Sequence, residues 1–303
     1  MRRKVEIIAE IGECFNGDME TADKLIAAAA TAGCDYAKFQ TLDIDGIDND
    51  DPERDWFLKI ALDKERIEYL RERCALHGIE FLCSPEKKRQ AEMLRELGER
   101  RVKIASSCVV DAELMDYVAK TFPVVFVSTG MASLKEVDAA MEKLSGQEKI
   151  YLMHCVSEYP TGPLLEKRGL RALEPSNVRL RMMDFLMERY PNAIVGYSDH
   201  TAGTAAPIAA VARGAGVLEK HITLDRTTPM RNYLEGKRYL GTDHVLSLEP
   251  EELEAMVAAI RDVEAMLAPE TWERTEGEKI LMDFLRGRFD NDGNNAEPAT
   301  ETP

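Results

Sequence analysis

The chain has 303 residues, 45% of them hydrophobic, enough for a large core without disulfide or metal staples and suited either to one barrel of about 250 residues with extensions or to two smaller domains. Its formal net charge is −16, a field that repels nucleic-acid phosphates and anionic lipid and so argues against nucleic acid and a membrane as partners. An anionic ligand must therefore be held by a local basic pocket.

In chain order, Met1–Lys4 leads directly into a strand-like run, Val5–Glu10. A helical pattern over Thr21–Ala32 precedes the strand pattern Tyr36–Gln40. Helix Lys64–Leu76 then leads to strand Glu80–Ser84, helix Glu86–Leu97 to strand Val102–Ala105, and helix Ala112–Lys120 to strand Val124–Ser128. Helix Leu134–Leu144 is followed by strands Ile150–His154 and Ala193–Tyr197. Helix Thr204–Ala212, strand Val217–His221 and helix Pro250–Met266 complete the series. Asp111 and Ser133 stand where helix N-caps belong. Strands alternating with helices imply βαβ units and a parallel sheet, and eight of them imply an α/β fold of the closed (β/α)8 TIM-barrel type. No GxGxxG turn follows an early strand, which counts against a dinucleotide site. The barrel is expected to be a single domain over residues 1–289. Asp290–Pro303, rich in Asn, Asp, Glu, Thr and Pro, reads as a disordered tail.

Six cysteines occur, none in a CxxC pair, and several sit in apolar runs as small buried hydrophobes. With no signal-peptide core and no apolar stretch long enough to span a bilayer, the expected location is the reducing cytoplasm.

Barrel active sites lie at the C-terminal ends of the strands. There this sequence places Glu10, Lys38 with Gln40, Ser84, Lys103 with Ser106 and Ser107, Ser128, His154 with Ser157 and Tyr159, Ser198 with Asp199 and His200, and Glu219 with His221. Each taken alone is an ordinary turn or cap residue; together they form a polar rim. Lys38 and Lys103 fall inside strand patterns, where lysine is avoided unless paired. Two readings stand: an anion cradle completed by hydroxyls, or internal salt bridges to Glu10 or Glu219. His200 and His221 end adjacent strands, so their rings are able to meet over the barrel mouth. Neutral imidazoles suit Mn, Fe, Co or Zn, and two of them leave coordination positions open. His77, late in a helix before Gly78, reads as a helix C-terminal residue.

At these residues the chain resembles the sialic acid synthase (N-acetylneuraminate synthase) family. The pieces are Ala9-Glu10-Ile11-Gly12 with Asn16-Gly17, Lys38-Phe39-Gln40-Thr41, Lys103-Ile104-Ala105-Ser106, Ser128-Thr129-Gly130-Met131, His154-Cys155 with Tyr159-Pro160, Gly196-Tyr197-Ser198-Asp199-His200-Thr201, and Glu219-Lys220-His221 with Leu224-Asp225-Arg226. The ordered set is far more specific than any one piece. The resemblance implies a barrel that condenses phosphoenolpyruvate with an N-acylated hexosamine or its 6-phosphate, yielding a 2-keto sugar acid and phosphate. It implies that Lys38, Ser84, Lys103, Ser106, Ser128 and Ser198 hold phosphoenolpyruvate, joined by Ser157 from its place on the rim. His200 and His221 would hold a divalent metal, Mn in the family, with Mg, Co or Zn as alternatives. Glu10, Gln40, Tyr159 and Asp243 would face the acceptor or a catalytic water. A homodimer is the expected assembly.

The chain departs from the family pattern where Asn-His follows the first strand, here Cys14 and Phe15, and where a sugar-binding Glu stands, here Cys108. No counterpart of the family's C-terminal antifreeze-like domain follows the barrel. Met230–Leu240 is extra sequence between Pro229 and Gly241, and its Arg231, Lys237 and Arg238 suggest a lid over the acceptor, with a solvated loop or subunit contact as the alternative. These departures touch the acceptor half and leave the phosphoenolpyruvate half intact. Two other functions stay open: a Schiff-base aldolase using Lys103, and a non-catalytic binding barrel.

Overall fold

Runs such as Glu6–Glu10 (EIIAE) and Val217–His221 (VLEKH) are buried along nearly their whole length, as parallel strands covered on both faces must be. The computed structural model describes residues 4–51, 54–158, 174–227, 231–233, 237–239, 242–267 and 271–286. The strands are β1 (Glu6–Glu10), β2 (Tyr36–Thr41), β3 (Glu80–Pro85), β4 (Arg101–Ile104), β5 (Val124–Ser128), β6 (Lys149–Cys155), β7 (Ile194–Asp199) and β8 (Val217–His221). They form one eight-stranded parallel sheet in the order β3-β2-β1-β8-β7-β6-β5-β4, a (β/α)8 barrel in which β3 and β4 lie side by side. Each strand falls within one or two residues of its sequence-based limits.

Alternation along the strands sorts side chains into two layers. One set fills the barrel: Ile8, Tyr36, Leu82, Phe126, Tyr151, Met153 and Val217, with the Phe126 and Tyr151 rings stacked at 4.1 Å. The other set packs against the helices. α1 (Met19–Ala32) buries Ala22, Leu25, Ile26, Ala29 and Ala32, the i, i+3, i+4 stripe of a helix lying on a sheet. α2 (Arg54–Ile60), α3 (Lys64–His77) and α4 (Lys88–Glu96) precede α5 (Ala112–Thr121) and α6 (Leu134–Lys143). The expected caps are present: Asp111 accepts from Leu114 N, and Ser133 forms a capping box with Glu136. His77 lies in the last turn of α3, bonded to Asp23.

α7 (Met182–Arg189), α8 (Ala205–Ala212), α9 (Thr242–Leu246) and α10 (Pro250–Met266) complete the unit Arg2–Leu267, which contains every barrel strand. Beyond it lies a second unit, whose described part is residues 271–286 and includes α11 (Glu276–Arg286). The sequence reading drew its barrel boundary at 289; the tail from 290 lies outside the described residues. The extra sequence after β8 contains a two-stranded antiparallel hairpin, β9 (Arg231–Tyr233) and β10 (Lys237–Tyr239), with Arg231 registered to Tyr239 and Asn232 to Arg238. Among the described residues no helix is long and apolar enough to cross a membrane.

Candidate active site

The parallel register carries the polar strand ends to one rim. Glu10 pairs across to Lys38 on one side and His221 on the other, Gln40 to Ser84, and Ser198 to both Cys155 and Glu219. A cavity of about 280 Å³ opens there, lined by Glu10, Lys38, Gln40, Lys103, Ser106, Ser107, Ser128, Met131, Ser157, Ser198, His200, Glu219 and His221. A larger cavity of about 720 Å³ lies among Val5, Met187, Ile194 and Val211, at the opposite ends of the strands, and brings no comparable set of catalytic groups together.

Both lysines point into the barrel, where they form the internal salt bridges that the sequence offered as one of its two readings. The Lys38 ammonium lies 2.6 Å from Glu10 Oε2 and 3.6 Å from Glu219 Oε2, and donates to Ser84 Oγ at 3.3 Å. Lys103 donates to Glu219 Oε1 at 3.0 Å, and Ser198 Oγ donates to the same oxygen at 2.9 Å. Burial alone would raise the Glu219 carboxyl, but Lys103 and Lys38 hold it far below the usual range. Glu219 thus keeps two cations buried in an acidic protein. The sequence placed Glu219 on the rim beside His221 and as a salt-bridge partner but gave it no role in the site, although its two-residue spacing from His221 put both on the inward face.

Hydroxyls close the cradle. Ser128 is 2% exposed, and its Oγ has no hydrogen-bond partner among the described residues. Gly130 lets the wall approach, since an added Cβ would lie 2.2 Å from Ser157 Oγ, 2.7 Å from Ser106 Oγ and 3.1 Å from Cys155 Sγ.

Glu10, Gln40 and Asp243 form the other half. Gln40 Nε2 donates to Glu10 Oε1 at 2.5 Å. Gly12, at φ +50°, marks where the three meet: an added Cβ would fall 2.9 Å from Glu10 Oε1, 3.2 Å from Asp243 Oδ2 and 3.4 Å from Gln40 Nε2. Burial raises the Glu10 carboxyl above its ordinary value despite Lys38.

The His200 and His221 rings meet over the mouth, centroids 5.4 Å apart. Burial, then the neighbouring His200, drives His221 well below the ordinary imidazole range, so it is neutral. Its buried Nδ1 has no hydrogen-bond partner among the described residues and lies 3.7 Å from Asp243 Oδ2. Among the described residues no three His, Cys, Asp or Glu group into a closed metal cage. Two imidazoles with an orphaned ring nitrogen nevertheless fit an open site in which water or substrate completes the shell.

His154, at the end of the sixth predicted strand, faces the helices instead, where its Nε2 meets the Val178 carbonyl oxygen at 2.7 Å. Its neighbour Cys155 faces inward, which the alternation could have revealed. Burial would raise the Cys155 thiol, yet the charge and hydrogen bond of His200, with Ser106 and Ser157, bring it down to about 7. Tyr159 lies outside the described residues, as do the side chains of Arg231 and Arg238. At the departures from the family pattern, Phe15 is a core residue packed edge-on to Phe39 at 6.1 Å, Cys14 is buried beside Ser247, and Cys108 Sγ donates to the Glu86 carbonyl.

Comparison with known proteins agrees with this geometry. An uncharacterized protein of Methanocaldococcus jannaschii is 36% identical, with 91% of this chain and 74% of that one covered. The N,N'-diacetyllegionaminic acid synthase of Legionella pneumophila is 32% identical over 92% of this chain and 78% of its own. The crystal structure of N-acetylneuraminic acid (sialic acid) synthetase from Leptospira borgpetersenii, in complex with citrate, superposes with a TM-score of 0.78 at 28% identity, covering 96% of this chain and 94% of that one. The NeuB family profile matches residues 25–271, and the chain belongs to the NeuB family.

Proposed function

We propose that the protein is a phosphoenolpyruvate-dependent synthase that adds a three-carbon pyruvyl unit to an aldehyde sugar, giving a 2-keto-3-deoxy sugar acid and phosphate. The observation that carries this reading is one cavity in which a two-lysine, multi-hydroxyl cradle adjoins a buried carboxylate and a histidine pair. The Legionella relative, an N,N'-diacetyllegionaminic acid synthase by name, supports an acylated sugar as the acceptor class.

In this reading Lys38, Lys103, Ser84, Ser106, Ser128, Ser157 and Ser198 bind phosphoenolpyruvate. Its anionic groups join Glu10 and Glu219 around the two ammonium groups, so the lysines stay paired whether or not the ligand is bound. C3 of phosphoenolpyruvate attacks the acceptor aldehyde carbon: the new C–C bond forms as the enol π bond and the carbonyl π bond break, the aldehyde oxygen takes up a proton to become a hydroxyl, and C2 is left electron-deficient for water. A divalent metal at His200 and His221, Mn or alternatively Mg, Co or Zn, would supply Lewis acidity at the aldehyde oxygen. Glu10, held by Gln40, takes a proton from the water that adds at C2. The C2–O bond to phosphate then breaks, leaving the keto acid. Asp243 is read as an acceptor contact, as is Tyr159 from its place in the motif, and the segment with Arg231 and Arg238 as a cover for that side. Shortening the hairpin is expected to raise the acceptor KM and leave phosphoenolpyruvate affinity unchanged; wild-type acceptor kinetics would remove it from the site.

The test is a screen of aldose acceptors with phosphoenolpyruvate, reading phosphate release and product mass, with and without chelator. No acceptor-dependent phosphate release from any N-acylated hexosamine or its 6-phosphate would refute the reading. A Schiff-base aldolase is favoured by one observation: burial pulls the Lys103 ammonium below its ordinary value. Borohydride trapping of substrate on Lys103 would establish that chemistry instead.

A further inference from the structure

Cys155 is not needed by the reaction just described, yet it lies between the two halves of the site. It is 5% exposed, and it ends β6 in register with Ser198 of β7, two residues before His200. Its Sγ lies 3.6 Å from His200 Nδ1 and 3.6 Å from Ser157 Oγ, both within hydrogen-bond reach of sulfur. On a third side Gly130 leaves room for the sulfur, since an added Cβ there would fall 3.1 Å from it. The sulfur is therefore fixed by its surroundings, and it fixes the ring.

An imidazole that ligates a metal through one nitrogen is commonly held by a hydrogen bond from the other, which sets the tautomer and the ring plane. Carboxylates and backbone carbonyls usually fill that role. At His200 a sulfur stands within hydrogen-bond reach of Nδ1. We propose that Cys155 is a positioning residue, its sulfur accepting the Nδ1–H of His200 and so presenting Nε2 as the metal-binding nitrogen. This inference rests on reading His200 and His221 as metal ligands. A serine at 155 would preserve the acceptor; an alanine would remove it and free the ring to rotate or exchange tautomers.

The experiment uses the full chain with Mn²⁺ alone as probe, its dissociation constant read from the electron paramagnetic resonance of free Mn²⁺. Long-range ¹H–¹⁵N spectra of the metal-free protein, at alkaline pH where the ring is neutral, report which His200 nitrogen carries hydrogen. Wild type is expected to show the Nδ1–H form. Cys155→Ala should weaken Mn²⁺ binding by about 10- to 100-fold and lose that form, whereas Cys155→Ser keeps both near wild type. His200→Ala and His221→Ala are the controls. If those controls lose Mn²⁺ while Cys155→Ala binds it as wild type does, the inference fails and the metal reading stands. If wild type binds no Mn²⁺, both fail. Should Cys155→Ala not fold, the wild-type spectrum decides alone, and an Nε2–H form there would overturn the proposal.

Discussion

Glu10 is the residue on which both halves of the cavity converge. It contacts Lys38 on one side, and through Gln40 and Gly12 it borders Asp243 on the other. Burial raises its carboxyl, with Glu219 adding to the effect, although Lys38 opposes. A base must be ionised to work, so activity falls as pH drops through that raised value. The acid limb of kcat/KM is therefore expected above the ordinary carboxylate range. Glu10→Gln should lower kcat by about 100- to 10,000-fold and remove that limb. An unchanged limb in the variant would assign it elsewhere. The two lysines make a different case. Losing Lys38 or Lys103 removes a charge-assisted contact to phosphoenolpyruvate, about 1.5–3 kcal/mol of affinity. It also strips a counter-charge from buried Glu10 or Glu219, which costs about 3–5 kcal/mol of stability. Lys38→Ala and Lys103→Ala are expected to weaken phosphoenolpyruvate binding and lower Tm together; equilibrium binding and melting curves check both.

At the scale of elements, the ends of β7 and β8 are locked by a second ion pair, on the outer face of the strands. Lys220 and Asp199 are each 1% exposed or less, with Nζ 2.7 Å from Asp199 Oδ2. Asp199 also accepts from Tyr197 OH and from Thr201 N and Oγ1, which fixes the turn that carries His200. Lys220→Met leaves Asp199 buried without its cation and should cost about 3–5 kcal/mol, read from urea unfolding. A loss under about 1 kcal/mol would show that water replaces the lysine. The sequence made Lys220 visible only as part of a motif, because a charged residue on the outer face of a buried strand has no periodic signature of its own. The strands themselves were legible, since parallel strands covered on both sides read as short apolar runs between helical stretches. So was most of the rim, whose inward residues follow two-residue alternation from Glu10, Lys38 and Gln40 to Glu219 and His221. His154 broke the reading where a motif was preferred to that alternation. α2, α7, α9 and the hairpin were missed because they are short and take their order from packing rather than from a long amphipathic stripe.

The molecule as a whole should lose stability on mild acidification, and its histidines are the reason. Burial lowers His154, His221 and His244, the last to about 4, with the Asp225 charge only partly opposing. His244 is 2% exposed, its Nδ1 2.7 Å from Thr223 Oγ1 and its Nε2 without a hydrogen-bond partner among the described residues. An unfolded chain takes up protons at these residues once the pH falls below about 6.5, whereas the folded chain holds the rings neutral. The unfolded state then binds more protons, so folding stability drops as pH falls from about 6.5 towards 4. His244 alone accounts for on the order of 3 kcal/mol across that window. His200 acts in the opposite sense: although burial would lower it, the Cys155 sulfur raises it, so its contribution is greatest in acid and is lost as pH rises. Depressed carboxyls such as Asp138, brought to about 2 by Arg189 and Tyr190, lose their stabilising contribution only below the ordinary carboxylate value and so belong to a lower window. Urea unfolding at about pH 7.5 and about pH 5 should give a markedly lower midpoint in acid, and His244→Gln should flatten the difference whatever its own cost at neutral pH. If the variant keeps the full pH dependence, the protons taken up on unfolding go to other residues, with buried His154 and His221 next in line.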